Sequence, residues 1–388
     1  MSRICLYLRF RLHAAQLILC KRTDGAVIAA ENKNVVFLNG IDGILKIFVI
    51  LAVEKSIGYM HKKLLFLILI LAASGVVRAQ DPSFSQFYGN PLYLNPALTG
   101  SKICPRATLN YRNQWPKLAG TFVTYALSYD QYVQALSGGV GVMVMSENMA
   151  DGAMTSTNVS GLYSFRMELA KKLTLNAGFQ GTYIQNKLNW DKFIFEDQYL
   201  NSTGGGLPAT LESPPDRLTV SMVDFSAGML LGYNERSYAG IAVHHMAEPD
   251  NSYYSNGDSK LDMKITAHAG ALIGLNGLNR AVEVEDLSFS PNIMYQQQGE
   301  FHQLNAGMYL NMYPMVLGGW FRHNFENPDA VILLVGFMAQ KLKVGFSYDY
   351  TISKLTNATG GAYELSFTYQ FDCREKTFKQ KAIKCPRF

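Results

Sequence analysis

The chain lacks a hydrophobic run long enough to cross a membrane as a helix. Its two most apolar stretches, "IDGILKIFVILAV" at 41–53 and "LLFLILILAA" at 64–73, fall short of the roughly 20 residues that such a helix needs. The second stretch is preceded by basic residues (61–63) and followed by a small-residue cleavage site, Val77-Arg78-Ala79, before Gln80. Residues 60–79 therefore read as a secretory signal peptide, with a single membrane anchor as the alternative.

A signal peptide at 60–79 places the natural start at Met60. Residues 1–59 show no consistent helical or strand period, and we interpret them as an over-extended start with no assigned fold. The alternative is a genuine leader, which would hinder export.

Cysteine is scarce, and no metal-binding spacing is present. Of five cysteines, Cys104, Cys373 and Cys385 remain after residue 79, enough for one intramolecular disulfide. We predict that Cys373 pairs with Cys385 in the periplasm. Pairing of Cys104 with either of them, or free thiols, are the alternatives.

An excess of positive charge is also missing from the exported part. Residues 1–79 hold 11 of the 35 basic and 4 of the 30 acidic residues, which leaves 24 basic against 26 acidic and a net charge of −2. This charge balance does not indicate nucleic-acid binding. No paired acid and base or Ser/His/Asp arrangement is recognisable, so we expect neither an enzyme nor a cofactor. His244 and His245 are not expected to share a metal, because adjacent residues of a strand point to opposite faces.

What the sequence does contain is a period of two, repeated throughout residues 105–372. In "LKVGFSYDY" at 342–350, for example, Phe346 falls on the apolar face and Ser347 on the polar face. We expect arginine to be harmful at Phe346 and tolerated at Ser347. The predicted strands are 105–112, 119–130, 137–147, 153–168, 171–188, 218–233, 237–247, 260–275, 286–297, 301–312, 315–325, 329–339, 341–353 and 362–371.

Fourteen long strands behind a signal peptide favour an all-β fold, a transmembrane antiparallel barrel, over a soluble sandwich. Aromatic residues near strand ends are typical of interfacial girdles: Tyr125, Tyr129, Tyr183, Trp190, Trp320, Tyr348 and Tyr350. Short connections such as "AKK", "GLNR" and "QK" alternate with long ones. Short turns face the periplasm in such barrels, so we expect the N- and C-termini to be periplasmic.

Residues 80–104 fit neither a helix nor a strand, because they combine prolines, aromatics and two Asn-Pro pairs. A fourteen-stranded barrel is too wide for its inward side chains to fill, since about eight strands is the size they fill. We therefore predict that this segment lines or plugs the barrel, or meets a partner there. The candidate residues are Phe84, Phe87, Tyr88, Asn90, Pro91, Tyr93, Asn95 and Pro96.

The stretch "DPSFSQFYGNPLYLNPALTG" at 81–100 also resembles the N-terminal hallmark of the PorP/SprF family of outer-membrane proteins of type IX secretion and gliding. Further similar stretches follow in family order, among them "LNYRNQWP", "YALSYDQ", "GGVGVMV", "YAGIAVHHMAEPDNSY" and "GGAYELSFTY". The resemblance covers residues 80–388 and leaves 1–59 without a counterpart. It implies a barrel in the outer membrane of Bacteroidota that works with type IX components in export or surface retention of adhesin-type cargo. A periplasmic peptidoglycan-binding partner is a further implication.

The C-terminal tail, 373–388, carries six basic residues and one acidic residue. We interpret Lys376, Lys379, Lys381 and Lys384 as a candidate periplasmic docking strip for an acidic partner or lipid headgroups, with a disordered tail as the alternative. Two function classes stay open. The first is a non-enzymatic secretion or anchoring barrel, and the second is a channel or hydrophobic-ligand transporter.

Overall fold

The structure is a computed structural model. It describes residues 4–9, 16–21, 27–31, 34–38, 81–102, 104–118, 120–200, 209–234, 236–275, 286–325, 327–353 and 359–373. These residues fall into two units, one within residues 1–77 and one within residues 78–388.

The N-terminal unit contains a four-stranded antiparallel sheet. Its strands are β1 (Ile4–Arg9), β2 (Gln16–Lys21), β3 (Val27–Glu31) and β4 (Asn34–Leu38), paired in sequence order. The sequence predicted no fold for this region. The signal peptide at 60–79 lies outside the described residues.

The second unit is a closed antiparallel barrel. Its strands are β5 (Arg106–Gln114), β6 (Phe122–Val133), β7 (Gly138–Met149), β8 (Met154–Ala170), β9 (Leu173–Leu188), β10 (Thr219–Tyr233), β11 (Ser237–His244), β12 (Lys264–Ala271), β13 (Ile273–Gly274), β14 (Ser288–Gln298), β15 (Phe301–Met312), β16 (Met315–Asn324), β17 (Asn327–Ala339), β18 (Leu342–Thr351) and β19 (Ala362–Gln370). The two residues of β13 continue β12 beyond Leu272 and pair with the same neighbour, β14. The wall therefore has fourteen strands, as the sequence predicted.

Pairing of the first and last strands closes the barrel. Each strand pairs with its sequence neighbour, and β5 pairs with β19 over its whole length, from Arg106 opposite Gln370 to Gln114 opposite Ala362. Closure leaves no unpaired edge in the wall, which a strand structure in a membrane requires.

The predicted alternation of short and long connections between strands is found only in part. Turns of two to four residues join β6 to β7, β8 to β9, β10 to β11, β15 to β16 and β17 to β18 at one end of the barrel. The predicted turn "GLNR" lies outside the described residues. At the other end, long connections at 189–218 and 245–263 stand beside a two-residue turn at 299–300, where the predicted strands 286–297 and 301–312 already left only three residues.

Each barrel strand has an apolar outer face and a polar inner face. Leu127, Phe225 and Phe346 are exposed outside, whereas Thr124, Asp224 and Ser347 are buried inside. An apolar exterior around a polar interior is the arrangement of transmembrane barrels. Trp320 departs from the prediction, because it faces inward and is buried instead of joining a girdle. No helix in the described ranges is long and apolar enough to span a membrane.

The disulfide prediction is wrong. Cys104 and Cys373 are bonded, with their Cα atoms 4.6 Å apart. The cause is barrel closure: Arg106 lies opposite Gln370, so the residues just before β5 and just after β19 become neighbours. Cys373 is then unavailable to Cys385, which lies outside the described residues together with Lys376, Lys379, Lys381 and Lys384.

Candidate functional site

Residues 81–102, here called the lumen segment, lie inside the barrel. They hydrogen-bond Glu364 of β19, the backbone of Met229 in β10 and Gln298 of β14, which belong to different sides of the closed ring. One short segment can reach all of these strands only from within. Of the eight predicted residues, seven are buried there and Tyr93 is half-buried.

The two Asn-Pro pairs give the lumen segment its compact turns. Pro91 opens a four-residue helix, α1 (Pro91–Leu94), and Pro96 opens a single 3₁₀ turn (Pro96–Leu98). Proline suits a first helical position because its missing N–H would have no partner there and its φ is already helical. The side chain of Asn95 caps the second turn by accepting the N–H of Ala97 at 2.9 Å.

The centre of the segment is held by a buried ionic network. Glu364 accepts the backbone N–H groups of Ser85 and Gln86 at 2.7 and 3.1 Å. The hydroxyl of Ser85 donates to Asp349 at 2.5 Å and accepts from Arg112 at 2.7 Å. Arg112 in turn pairs with Glu364 at 3.1 Å and Asp349 at 3.2 Å.

A second arginine belongs to the network. Arg322 donates to Ser85 at 2.7 Å, pairs with Asp349 at 3.0 Å and lies 3.7 Å from the partly exposed Asp329. Apart from Asp329, all of these side chains are almost fully buried. Buried charges persist only when they are paired and hydrogen-bonded, and here the lumen segment supplies three of the hydrogen bonds, two to Glu364 and one to Asp349.

Gln86 fixes the neighbouring part of the segment to β18 and β19. Its amide nitrogen donates to Ser347 at 3.2 Å and to the carbonyl of Glu364 at 3.0 Å, while Ser366 donates to its oxygen at 2.5 Å. Ser347 faces inward as predicted, but it is fully buried against Gln86. We therefore withdraw the expectation that arginine would be tolerated there, because the lumen is occupied.

Inward-facing glycines let the backbone of the segment touch the wall. A Cβ atom at Gly178 would lie 2.3 Å from the nitrogen of Ala97, and one at Gly139 would lie 2.2 Å from the carbonyl oxygen of Thr99. Neither distance is physically possible. The stretch "GGVGVMV" at 138–144 thus includes one glycine, Gly139, that makes room for the segment.

Aromatic contacts fill the space between the polar anchors. The ring of Phe87 packs edge-on against Trp320 with centroids 5.1 Å apart. Tyr88 packs against Tyr309 of the adjacent strand β15, with centroids 6.4 Å apart, and against Tyr238 of β11, at 5.8 Å. Edge-to-face pairs at these distances contribute stabilising free energy in addition to that gained by burying the rings. Trp320 was missed as a lumen residue because aromatic residues in membrane barrels occur on both faces.

Near its start, the segment is anchored by charges. The carboxylate of Asp81 lies 2.8 Å from His245 Nε2 and 3.4 Å from Lys264 Nζ, and His245 Nδ1 lies 2.9 Å from Asp224. Burial opposes ionisation of Asp81, but the charges of His245 and Lys264 outweigh it and hold the pKa of Asp81 well below its usual range. Burial likewise opposes the imidazolium, yet Asp81 and Asp224 raise the pKa of His245 to about 9.

His245 reaches this position through an unusual backbone conformation. It follows the last residue of β11 and has a φ of 58°, in the left-handed region. The turn directs its side chain into the lumen beside that of His244, so the prediction that the two face opposite sides is wrong. In the part of the chain that the structure describes, no group of three or more His, Cys, Asp or Glu residues could hold a metal ion.

The lumen segment runs between the two ends of the wall. Asp81 contacts His245, Lys264 and Gln298, which adjoin strand ends on the side of the long connections. Gly100 donates to Asp130 at 2.8 Å, near the short turn after β6. The location of both termini in the periplasm stays a prediction. The chain must in addition run along the lumen from Asp81 to Gly100 before β5 begins.

Comparison with known proteins gives one sequence match and several fold matches. The family model of the type IX secretion system membrane protein PorP/SprF matches residues 76–369. No curated protein sequence matches the chain.

Among solved structures, the toluene transporter TbuX of Ralstonia pickettii is similar at 13% identity and a TM-score of 0.45, covering 72% of this chain and 93% of that one. The P. putida toluene transporter TodX is similar at 10% identity and a TM-score of 0.42, over 71% and 92% of the two chains. A Pseudomonas aeruginosa FadL homologue is similar at 12% identity and a TM-score of 0.38, over 72% and 93%. Likeness at this level does not bear on what this chain binds.

Proposed function

Because the chain belongs to the PorP/SprF family of type IX secretion system membrane proteins, we propose that it is a non-enzymatic outer-membrane barrel that assists the export or surface anchoring of adhesin-type cargo. Family membership supplies the link to type IX secretion. The choice of an anchoring or assembly role over a transport role rests on one observation, the occupied lumen.

The lumen segment is fixed too firmly to suit a passive diffusion pore. Its backbone and side chains bond residues of both halves of the ring, and its central anchor is an ionic network of buried side chains. Displacing it would leave Glu364 and Asp349 without hydrogen bonds that they now receive, which is costly in a buried site. A barrel of this kind acts through its ends and its partners.

The long connections offer surfaces for cargo. Loop 189–218 contains a short helix, α2 (Glu196–Leu200), and an aromatic cluster in which the rings of Trp190 and Phe195 lie 4.8 Å apart. Ile194 beside them is half exposed, and Leu211 is 88% exposed. We propose that this apolar surface, on the side opposite the short turns, contacts the cargo. The basic tail with Lys376, Lys379, Lys381 and Lys384 would serve an acidic or peptidoglycan-binding partner in the periplasm.

Two experiments test the proposal. A deletion strain should lose secretion or surface display of at least one adhesin-type protein, and normal display of all of them would contradict the role. Affinity purification from detergent-solubilised outer membranes should recover type IX components or cargo. Recovery should fall in a variant with Ile194→Asp and Leu211→Asp, and Phe325→Asp, at another exposed site, should leave recovery unchanged.

The second candidate is a channel or hydrophobic-ligand transporter, favoured by the strand number. Two cavities between the lumen segment and the wall have volumes of about 40 Å³ each. Small-molecule pockets usually occupy roughly 300–1,000 Å³, so neither cavity suits such a ligand. Protein-dependent uptake of a hydrophobic compound would favour this candidate over the first.

A further inference from the structure

The strands of the closed wall differ in length, and β10 projects well beyond one of its neighbours. It pairs with β9 along its full length, but it pairs with β11 only from Ala227 onward, because β11 ends at His244. Residues 219–226 therefore have a strand on one side only. Among the described barrel strands this is the longest one-sided stretch, and it lies at the end of the barrel that carries the long connections.

The backbone of this stretch directs hydrogen-bonding groups towards the side where β11 is missing. The carbonyl of Phe225 accepts the N–H of Met246, just beyond the end of β11, so Phe225 faces that side. Alternate residues of a strand bond to the same side, and Thr219, Ser221 and Val223 therefore face it as well. No other backbone group of the described residues bonds these three there, which leaves three N–H donors and three C=O acceptors for another strand.

The long connection between β11 and β12 covers the inner face of this stretch and not its edge. Tyr253 and Leu261 of that connection pack against a cluster that includes the inward-facing Val220 and Met222. The outward-facing residues of the same stretch remain exposed, Val223 by 56%. The connection thus lies over the mouth of the barrel, and the position beside β10 has no strand.

The sequence of the stretch favours pairing with a further strand. Residues 219–225 read "TVSMVDF", in which the threonine, both valines and the phenylalanine have high β propensity. Proteins commonly protect an exposed strand edge with lysine or proline, and this stretch contains neither. Its one charged residue, Asp224, is already bonded to His245 of the same chain. The edge is therefore open to pairing with another polypeptide.

We propose that this edge binds an extended segment of the adhesin-type cargo, which adds a strand beside β10 beyond the end of β11. The choice of the cargo as partner rests on the proposed function, because connection 189–218, which carries the apolar surface proposed to contact the cargo, leads directly into Thr219. The added strand runs antiparallel to β10, as β11 does. It covers residues 219–225, a length of about 20 Å at roughly 3.4 Å per residue.

The two faces of the projecting sheet define the side chains that the added strand should carry. Those directed towards the lumen extend the apolar layer of Val220, Met222 and Tyr253. Those directed outward lie beside the exposed Thr219 and Ser221. The segment should therefore alternate between apolar and polar residues. When a peptide adds a strand to a sheet, its backbone bonds supply affinity and its alternate side chains supply specificity.

The probe is a fluorescent peptide with the sequence of β11, because β11 already pairs along the same edge of β10 further down the strand. Ile241 lies opposite Met229 there, so alternate amides of the peptide face β10. One version is N-methylated at the positions of Ala239 and Ile241, which face β10, and a matched version at those of Tyr238 and Ala242, which face away. With the protein purified in detergent, fluorescence anisotropy should show that the first version binds about tenfold more weakly than the second.

Two variants at the middle of the edge test the same contact from the side of the protein. Ser221→Pro removes an edge N–H and should weaken binding of the unmodified peptide about tenfold. Ser221→Ala keeps that N–H and, like the proline, loses the hydroxyl that accepts from Tyr183, so it should bind the peptide normally. Cargo recovered from solubilised outer membranes should fall in the proline variant alone. The two N-methylated peptides decide the matter on the wild-type protein even if Ser221→Pro fails to fold.

Equal binding of the two N-methylated peptides, or no binding of the unmodified peptide, would overturn the proposal. A dimer in solution that Ser221→Pro abolishes would assign the edge to a second copy of the chain and would overturn the choice of cargo. If a deletion strain displays every adhesin normally while the two peptides still differ, the proposed function fails and the strand-binding edge stands.

Discussion

The barrel wall and the lumen segment are stabilised by different kinds of contact, although the chain passes directly from one to the other. In the wall, backbone hydrogen bonds between neighbouring strands set the geometry, and alternate side chains need only be apolar outside and polar inside. In the lumen segment, side chains of distant strands meet individual backbone groups, as Glu364 meets the N–H groups of Ser85 and Gln86. The wall should therefore tolerate substitutions that keep the alternation, whereas the lumen segment depends on particular residues.

The largest effect should follow from removing a charge of the central network. Arg112→Ala leaves Glu364 and Asp349 buried with fewer partners, and breaking a buried ion pair in this way typically costs about 3–5 kcal/mol. We expect this loss in the free energy of unfolding, measured by urea titration in lipid vesicles. Arg217→Ala, on an exposed loop, should cost less than about 1 kcal/mol. Equal losses would show that the network does not stabilise the barrel.

The second largest loss of stability should follow from placing a charge on the outer face of the barrel. Phe346→Arg places a cation among exposed apolar side chains and should cost about 2–4 kcal/mol if the site lies near the middle of the membrane. Phe325→Arg, in a turn beyond the end of β16, should cost about 0–1 kcal/mol. The measured quantity is the yield of folded protein in outer-membrane fractions, and similar yields for both variants would contradict the assignment of the outer face.

A single methyl group at the contact between the wall and the lumen segment should lower the stability of the protein. Gly178→Ala forces a Cβ atom into the backbone of Pro96 and Ala97, and overpacking of this kind costs about 1–3 kcal/mol. Gly161→Ala is the matched control on the adjacent strand, because a Cβ there meets nothing within 4 Å. Unfolding followed by fluorescence, with Trp115→Phe and Trp190→Phe leaving Trp320 as reporter, should detect the difference. If the two variants are equally stable, the segment does not contact Gly178.

The smallest expected effect is the pH dependence of the ion pair between Asp81 and His245. The pKa of His245 is raised from 6.5 to about 9, so its stabilising contribution is complete below pH 6.5 and is lost as the pH rises to about 9. The pKa of Asp81 is lowered, so its own contribution is present above its ordinary value of 3.8 and is lost only in strong acid. The start of the segment should therefore loosen between pH 6.5 and 9.

Maleimide labelling of Ser83→Cys in a Cys385→Ser background measures this loosening, with the exposed site Leu211→Cys correcting for thiol reactivity. The corrected rate should rise with pH in the parent and stay flat in His245→Gln. A parent whose corrected rate does not change over this range would contradict the ion pair.

The wall could be predicted from sequence because a period of two is a local property of each strand. The strand number, Phe346 on the outside and Ser347 on the inside all follow from it. The ionic network could not be predicted, because Arg112, Arg322, Asp349 and Glu364 lie on four strands whose inward residues are polar in any such barrel.

Two of the wrong predictions have the same origin. The Cys104–Cys373 bond depends on which strands close the ring, and the inward turn of His245 depends on one left-handed residue where β11 ends. Neither leaves a local pattern in the sequence. By contrast, the Asn-Pro turns of the lumen segment could be predicted, because proline restricts its own residue and the one before it.

The most direct test of the account is the ionic conductance of single molecules in planar bilayers, because the central claim is that the lumen segment occupies the barrel. We predict that the wild-type protein and Gly161→Ala pass no steady current, whereas Gly178→Ala, in which the segment cannot seat against β9, shows channel openings. A steady ohmic current through wild-type molecules, equal to that of Gly178→Ala, would show that the lumen is open and would contradict the account.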